Sequence, residues 1–181
     1  MQIIDLSPDD ENIVRQLAGW LVEQWPNSWP DIKSGLQEVR ESLEEDRISR
    51  VAVDETGSVL GWIGGIRQYN GNVWELHPLI VNKTCRGRGI GSALVADLEA
   101  RVRERAGLTI WVGTDDEENQ TTLSGVNLYP NLWENITEIK NLAAHPYEFY
   151  QKCGFTIVGV MPDANGLGKP DIYMAKPVGK K

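Results

Sequence analysis

A chain of 181 residues, 41% hydrophobic and 24% charged, has the length and composition of one globular domain with a proper core. Its 26 acidic residues against 18 Lys and Arg leave a net charge of −8, which argues against nucleic acid as a partner and favours cations, polyamines or cationic small molecules. The sequence has no apolar run of membrane-spanning length, no signal-peptide pattern at Met1-Gln2-Ile3-Ile4-Asp5 and only two cysteines, so the expectation is a reduced, cytoplasmic protein with no membrane partner.

The first fifty residues carry few signals. Ser7-Pro8-Asp9-Asp10 starts a helix on which Ile13-Val14, Leu17-Ala18 and Leu21-Val22 recur at helical spacing, and Pro26 ends it. Gly35 to Glu45 reads as a weaker, acidic helix. Val51–Asp54 and Leu60–Ile66 read as strands joined by the turn Glu55-Thr56-Gly57, and Val73–Val81 as a third, entered through Asn70-Gly71-Asn72.

An Arg-Gly loop, Arg86-Gly87-Arg88-Gly89-Ile90-Gly91-Ser92, follows that strand and opens into a helix with Ile90, Leu94, Val95, Leu98 and Val102 on one face, closed by Gly107. Converging backbone N–H groups, a helix N-terminus and two guanidinium groups make such a loop a phosphate or pyrophosphate site. The spacing fits neither a dinucleotide fingerprint nor a P-loop. The alternative is a plain surface turn.

Leu108–Gly113 is the next strand. The acidic run Asp115-Asp116-Glu117-Glu118 then opens a long segment, about 114–144, inserted before a short helix from Pro146 to Cys153 that Gly154 caps. Strands Phe155–Val160 and Asp171–Ala175 finish the chain. Strands and helices alternate around one mixed sheet, so the expectation is a single α/β domain over residues 1–181.

Alternation on Val73–Val81 puts Glu75, His77 and Leu79 on one face, with Trp74 and Leu76 on the other. A carboxylate and an imidazole inside a strand are costly unless paired or used. Pro78 cannot donate to the sheet ladder, so the strand is expected to bulge or break there. The alternative for Glu75 and His77 is a structural pair. Tyr150 carries a phenol of ordinary pKa ~10, a candidate proton donor at neutral pH, with Tyr147 one turn away as its rival; the alternative is a core tyrosine. The two histidines and two cysteines lack metal-ligand spacing, so no metal is expected.

Arg86-x-x-Gly89-x-Gly91 after a strand resembles the pyrophosphate loop of the GNAT N-acetyltransferases, and Tyr150-x-x-x-Gly154-Phe155 resembles their proton-donating segment. Several further blocks in one order narrow the likeness to aminoglycoside 6'-N-acetyltransferases: Trp74 to Leu79, Gly113 to Asp116, Thr121 to Ser124, Asn141-Leu142, His145 to Tyr150 and Gly159 to Ile172. The resemblance implies a GNAT fold with a single mixed, mostly antiparallel sheet and helices on both faces. It implies acetyl transfer from acetyl-CoA to the 6'-amino group of an aminoglycoside, by direct attack in a ternary complex of a homodimeric enzyme, with antibiotic resistance as the outcome.

The same resemblance assigns catalysis to Glu75, His77 and Tyr150. It gives acetyl-CoA to Leu79, Ile80, Val81, Arg86, Gly87, Arg88, Gly89, Ile90, Gly91 and Ser92. It gives the drug to Trp25, Tyr69, Glu75, Asp115, Asp116 and Glu118. Whether Glu75, His77 or water accepts the proton stays open, as does the choice among the carboxylates after Gly113. Two other readings remain: a GNAT enzyme for another polycationic or peptide amine, and a non-catalytic acyl-CoA-binding module.

Overall fold

The computed structural model describes residues 1–179. The chain divides into two compact units, Met1–Leu108 with the segment from Val178, and Thr109–Pro177.

In the first unit the strand order is β1 (Gln2–Asp5), β2 (Arg47–Val53), β3 (Val59–Gln68) and β4 (Val73–Val81), each pair antiparallel. Helices α1 (Glu11–Gln24), α2 (Ile32–Glu41) and α3 (Ile90–Glu104) cover them. α1 brings Val14, Leu17, Ala18 and Leu21 onto Val51, Val53, Trp62 and Ile80, which form one apolar cluster. Trp62 is fully buried, and its indole N–H donates to Ser49 Oγ at 2.9 Å, so its polar atom is satisfied inside the core. α3 packs on the opposite face: an added Cβ on Gly61 would meet Leu94 and Ile90, and one on Gly65 would meet Leu98. Buried Arg50 ties the layers, with its guanidinium 2.7 Å from Asp97 of α3 and 2.6 Å from Asp5 of β1.

α2 begins earlier than Gly35 because Asp31 and Ser34 form a capping box, in which the Asp31 carboxylate accepts from the Ser34 N–H at 2.8 Å. Gly35 then lets α2 lie against α1 backbone to backbone: a Cβ there would sit 2.7 Å from the Ala18 carbonyl oxygen.

The expected irregularity at Pro78 is present. Ile63 pairs with Leu79 and Gly65 with Leu76, so His77 and Pro78 together oppose the single residue Gly64. The bulge corrects one expectation. Glu75 precedes it and His77 opens it, whereas Leu79 follows it and pairs with Ile63, between the glycines that face α3. One extra residue reverses the alternation. Ile80, paired with Trp62, therefore shares the Glu75 and His77 face, and Leu79 does not.

In the second unit the order is β5 (Thr109–Asp115), β7 (Asp171–Pro177) and β6 (Thr156–Met161), again antiparallel. The unit also holds the short helices α4 (Leu132–Thr137) and α5 (Tyr147–Lys152). The inserted segment is organised by its own hydrogen bonds. Thr121 bridges to Asn141, and the Asn141 amide donates to the His145 carbonyl at 2.9 Å while accepting from its N–H at 2.8 Å.

Candidate active site

Val81 leads through a turn of 3-10 helix, Lys83–Cys85, into the Arg-Gly loop. Gly87 and Gly89 adopt left-handed φ of 75° and 78°, and Gly89 is the N-cap of α3. An added Cβ would meet nothing at either position, so these glycines serve backbone conformation and an open outer face. Arg86 and Arg88 are exposed. Arg86 donates to Gln24 Oε1 at 2.6 Å and to the Val81 carbonyl at 3.3 Å, which joins the loop to the end of α1. Beside it lies a groove of about 270 Å³ lined by Trp20, Glu23, Gln24, Ile80, Val81, Asn82, Lys83 and Thr84. Ile80 and Val81, two of the residues expected at the cosubstrate, are among those lining this groove. Leu79 is not among the lining residues, and Ile90 is buried, so its side chain belongs to the core.

Further along the same strand, Glu75 is half-buried and accepts a hydrogen bond from the Gln68 amide at 2.6 Å. Burial lifts the Glu75 carboxyl above its ordinary value, and Glu38 adds to this, while His77, Arg47 and Gln68 pull the other way. The shift has the direction a proton acceptor needs. His77 Nε2 lies 3.7 Å from Glu38 Oε1 of α2. Its ring tilts against Trp29, with centroids 5.9 Å apart, and Trp29 meets Trp25 edge to face at 5.7 Å. Tyr69 is 74% exposed and stands next to Gln68 at the start of the turn after β3. Among the expected residues, Glu75, His77 and Trp25 therefore share one wall of the first unit. Trp29, Glu38 and Gln68 belong to that wall and escaped the sequence reading, because only the path of α2 and the end of β3 bring them there.

In the second unit, Asp115 is exposed and accepts a hydrogen bond from the Asn165 amide at 2.5 Å. Glu118 is exposed as well. Asp116 requires a correction: it is fully buried, so it contributes nothing to an acidic surface. Its two carboxylate oxygens accept from the N–H groups of Gln120 at 2.6 Å and Thr121 at 2.8 Å. Burial opposes its ionisation, yet the hydrogen bonds from Gln120, Thr121 and Ser124 prevail and hold it below the usual aspartate value. Asp116 shapes the loop.

Tyr150 is buried among Phe149 and Phe155, with centroids 5.1 and 5.5 Å away, and burial pushes its hydroxyl well above the usual tyrosine value. It is a neutral phenol across the physiological range. Tyr147 is also buried, and burial raises its hydroxyl too. His145 Nδ1 accepts from the Tyr147 N–H at 3.2 Å, so the ring hydrogen is on Nε2, which donates to the Asp115 carbonyl at 3.2 Å. Burial lowers His145 below the ordinary histidine value, which makes it a neutral structural group.

Among the described residues no group of three His, Cys, Asp or Glu could hold a metal ion, and no helix is long and apolar enough to cross a membrane.

Residues 14–155 match the model of the acetyltransferase (GNAT) family. A search of curated proteins returned no match. Among solved structures, the chain is similar to an aminoglycoside 6'-N-acetyltransferase complexed with coenzyme A, at 43% identity and a TM-score of 0.95, covering 100% of this chain and 99% of that one. It is similar to the aminoglycoside 6'-N-acetyltransferase from Enterococcus faecium at 43% identity and a TM-score of 0.92, with the same coverage. An aminoglycoside 6'-acetyltransferase type Ii matches at 38% identity and a TM-score of 0.78, again over 100% and 99% of the two chains.

Proposed function

We propose a reaction course that starts from one premise: the chain belongs to the GNAT family of acetyltransferases. It is an N-acetyltransferase that moves the acetyl group of acetyl-CoA onto the 6'-amino group of an aminoglycoside. The observation that carries this reading is the half-buried Glu75 beside His77, backed by Glu38 and the Trp25–Trp29 pair. Negative charge beside aromatic faces attracts an ammonium group.

The loop residues fit the cosubstrate. Arg86, Arg88 and the N-terminus of the fifteen-residue α3 bind its pyrophosphate, and the groove beside Val81 takes the arm that follows. The substrate amine arrives as an ammonium group, which Glu75 attracts. Its proton passes to Glu75 or His77, and the freed lone pair attacks the thioester carbonyl, polarised by backbone N–H groups near Leu79. A C–N bond forms, the C–S bond breaks, the Tyr150 hydroxyl supplies the proton to the departing sulfur, and the second proton lost by the amide nitrogen returns through water to the Tyr150 oxygen. A buried phenol, kept protonated, is suited to that last step. Exposed Asp115 and Glu118 attract the drug's other ammonium groups.

The enzyme works as a homodimer in the cytoplasm, where acetyl-CoA is made, and confers resistance there. Support for the dimer comes from the second unit, where Tyr129 and Trp133 are 70% exposed, Val158 55% and Met161 48%, around α4 and the outer strand β6. Large apolar side chains left on a surface mark a contact.

Glu75→Gln and Tyr150→Phe are expected to lower the single-turnover acetylation rate by ~100- to 10,000-fold while leaving CoA binding near the parent value. Parental single-turnover rates in both variants would refute the assignment.

A further inference from the structure

Resting on the reading that Glu75 and His77 meet the reacting amine, we infer that Glu38 is a positioning residue that holds His77 as the proton acceptor and leaves Glu75 to grip the ammonium. The His77 ring is bracketed on two sides. Trp29 lies against it at 5.9 Å between centroids, and Glu38 Oε1 stands 3.7 Å from Nε2. That separation exceeds a hydrogen bond and suits a charge pair. With Nε2 turned towards a carboxylate, its hydrogen stays there, and Nδ1 holds the lone pair that receives a proton. The proton from the ammonium forms an N–H bond at Nδ1, the nitrogen of the amine keeps the electron pair, and the imidazolium lies between Glu38 and Glu75 until water removes its proton.

Glu75 is suited to the other task. Its Oε2 accepts from Gln68 at 2.6 Å, a bond that favours the charged carboxylate, as do Arg47 and His77; burial outweighs them and lifts the free carboxyl, and the arriving ammonium, an opposite charge at that carboxylate, restores the charged form. The charged groups around the pair are thus Glu38, Glu75 and Arg47.

Glu38 is no loose surface charge. Its side chain is 20% exposed, and it flanks the buried positions Gly35 and Val39 of α2. The Asp31–Ser34 capping box fixes where that helix starts, and the contact of Gly35 with Ala18 fixes how close it lies to α1. By contrast, the Glu41 carboxylate of the same helix accepts from the Gln37 amide at 2.8 Å, one turn away on α2 itself.

The test is a double-mutant cycle of Glu38→Gln and His77→Asn, read as single-turnover acetylation with acetyl-CoA and an aminoglycoside. Glu38→Gln is expected to slow that step about tenfold, within the span of measured pair couplings, with KM for both substrates and the melting temperature close to parental. In the His77→Asn background the same change is expected to do nothing more. Glu38→Asp, which keeps the charge, should recover part of the rate, and it remains informative if the glutamine variant folds badly. Independent, multiplying effects would overturn the inference, as would a parental rate in Glu38→Gln or a change confined to the drug's KM. If His77→Asn alone keeps the parental rate, the role given to His77 falls first. If His77→Asn is slow and Glu38→Gln is not, only the role given to Glu38 falls.

Discussion

Gly64→Ala is the most telling single substitution in β3. A Cβ at position 64 would lie 2.1 Å from the His77 carbonyl oxygen, 3.0 Å from its carbonyl carbon and 3.2 Å from Pro78 Cδ. These are backbone and ring atoms, so no flexible side chain can yield. Strand β3 or the bulge must give way by about 0.9 Å to reach the 3.0 Å that real Cβ contacts respect. Overpacking of this kind costs ~1–3 kcal/mol, and the gain from replacing a strand glycine by alanine returns ~0.5–1 kcal/mol. The net loss, up to about 2.5 kcal/mol, lowers the melting temperature by up to about 10 °C in a chain of this length. The displaced bulge carries His77 with it, and a ~1 Å misplacement of a reacting group costs ~100-fold in rate. Thermal melting by far-UV circular dichroism and single-turnover acetylation measure the two effects. Gly159→Ala in β6 is the control, since a Cβ there meets nothing within 4 Å, and it should melt at or slightly above the parental temperature. If Gly64→Ala also melts and turns over like the parent, the close approach at the bulge is wrong.

Arg86→Ala should weaken CoA binding in calorimetry through lost charge, and Gly89→Val should weaken it at least about tenfold, because a β-branched residue resists the left-handed φ of 78°; an unchanged affinity in Gly89→Val removes the loop from the cosubstrate site. Asp116→Asn should cost about 1–3 kcal/mol at neutral pH and speed amide exchange across residues 117–145. The folded Asp116 is held below its ordinary value, so its contribution is present above that value and fades as the pH falls below it; parent and variant stabilities should converge below about pH 4. Trp133→Glu should shift the sedimenting species from dimer to monomer, and a monomeric parent would refute the dimer outright.

The strand Val73–Val81, the glycine loop and α3 were legible because their signals are local: alternation, an N-cap glycine in place and an apolar stripe. β1 was not, since four residues with one partly buried position show no alternation, and the strand exists through its pairing with β2 and the Arg50–Asp5 contact. Leu79 went to the wrong face because Pro78 announces an irregularity without saying that two residues will oppose one. The acidic run after Gly113 could not reveal that Asp116 turns inward, because its partners are backbone N–H groups, which no sequence displays. Glu38 stood among several acids of one helix, and nothing short of α2's docking distinguished it.

The contact between Gly35 and Ala18 has a mechanical consequence. Two helices in touch through their backbones have no soft side-chain layer to absorb a relative shift, so α1 and α2 tend to travel as one girder. One end of that girder presents Trp20, Glu23 and Gln24 to the groove beside Val81, and α2 presents Glu38 to His77. A molecule that settles in the groove and stills α1 therefore also stills the carboxylate facing the imidazole, at no extra entropic expense to the second arrival. The benefit runs both ways: whichever reactant tightens such a girder first leaves the other a stiffer seat.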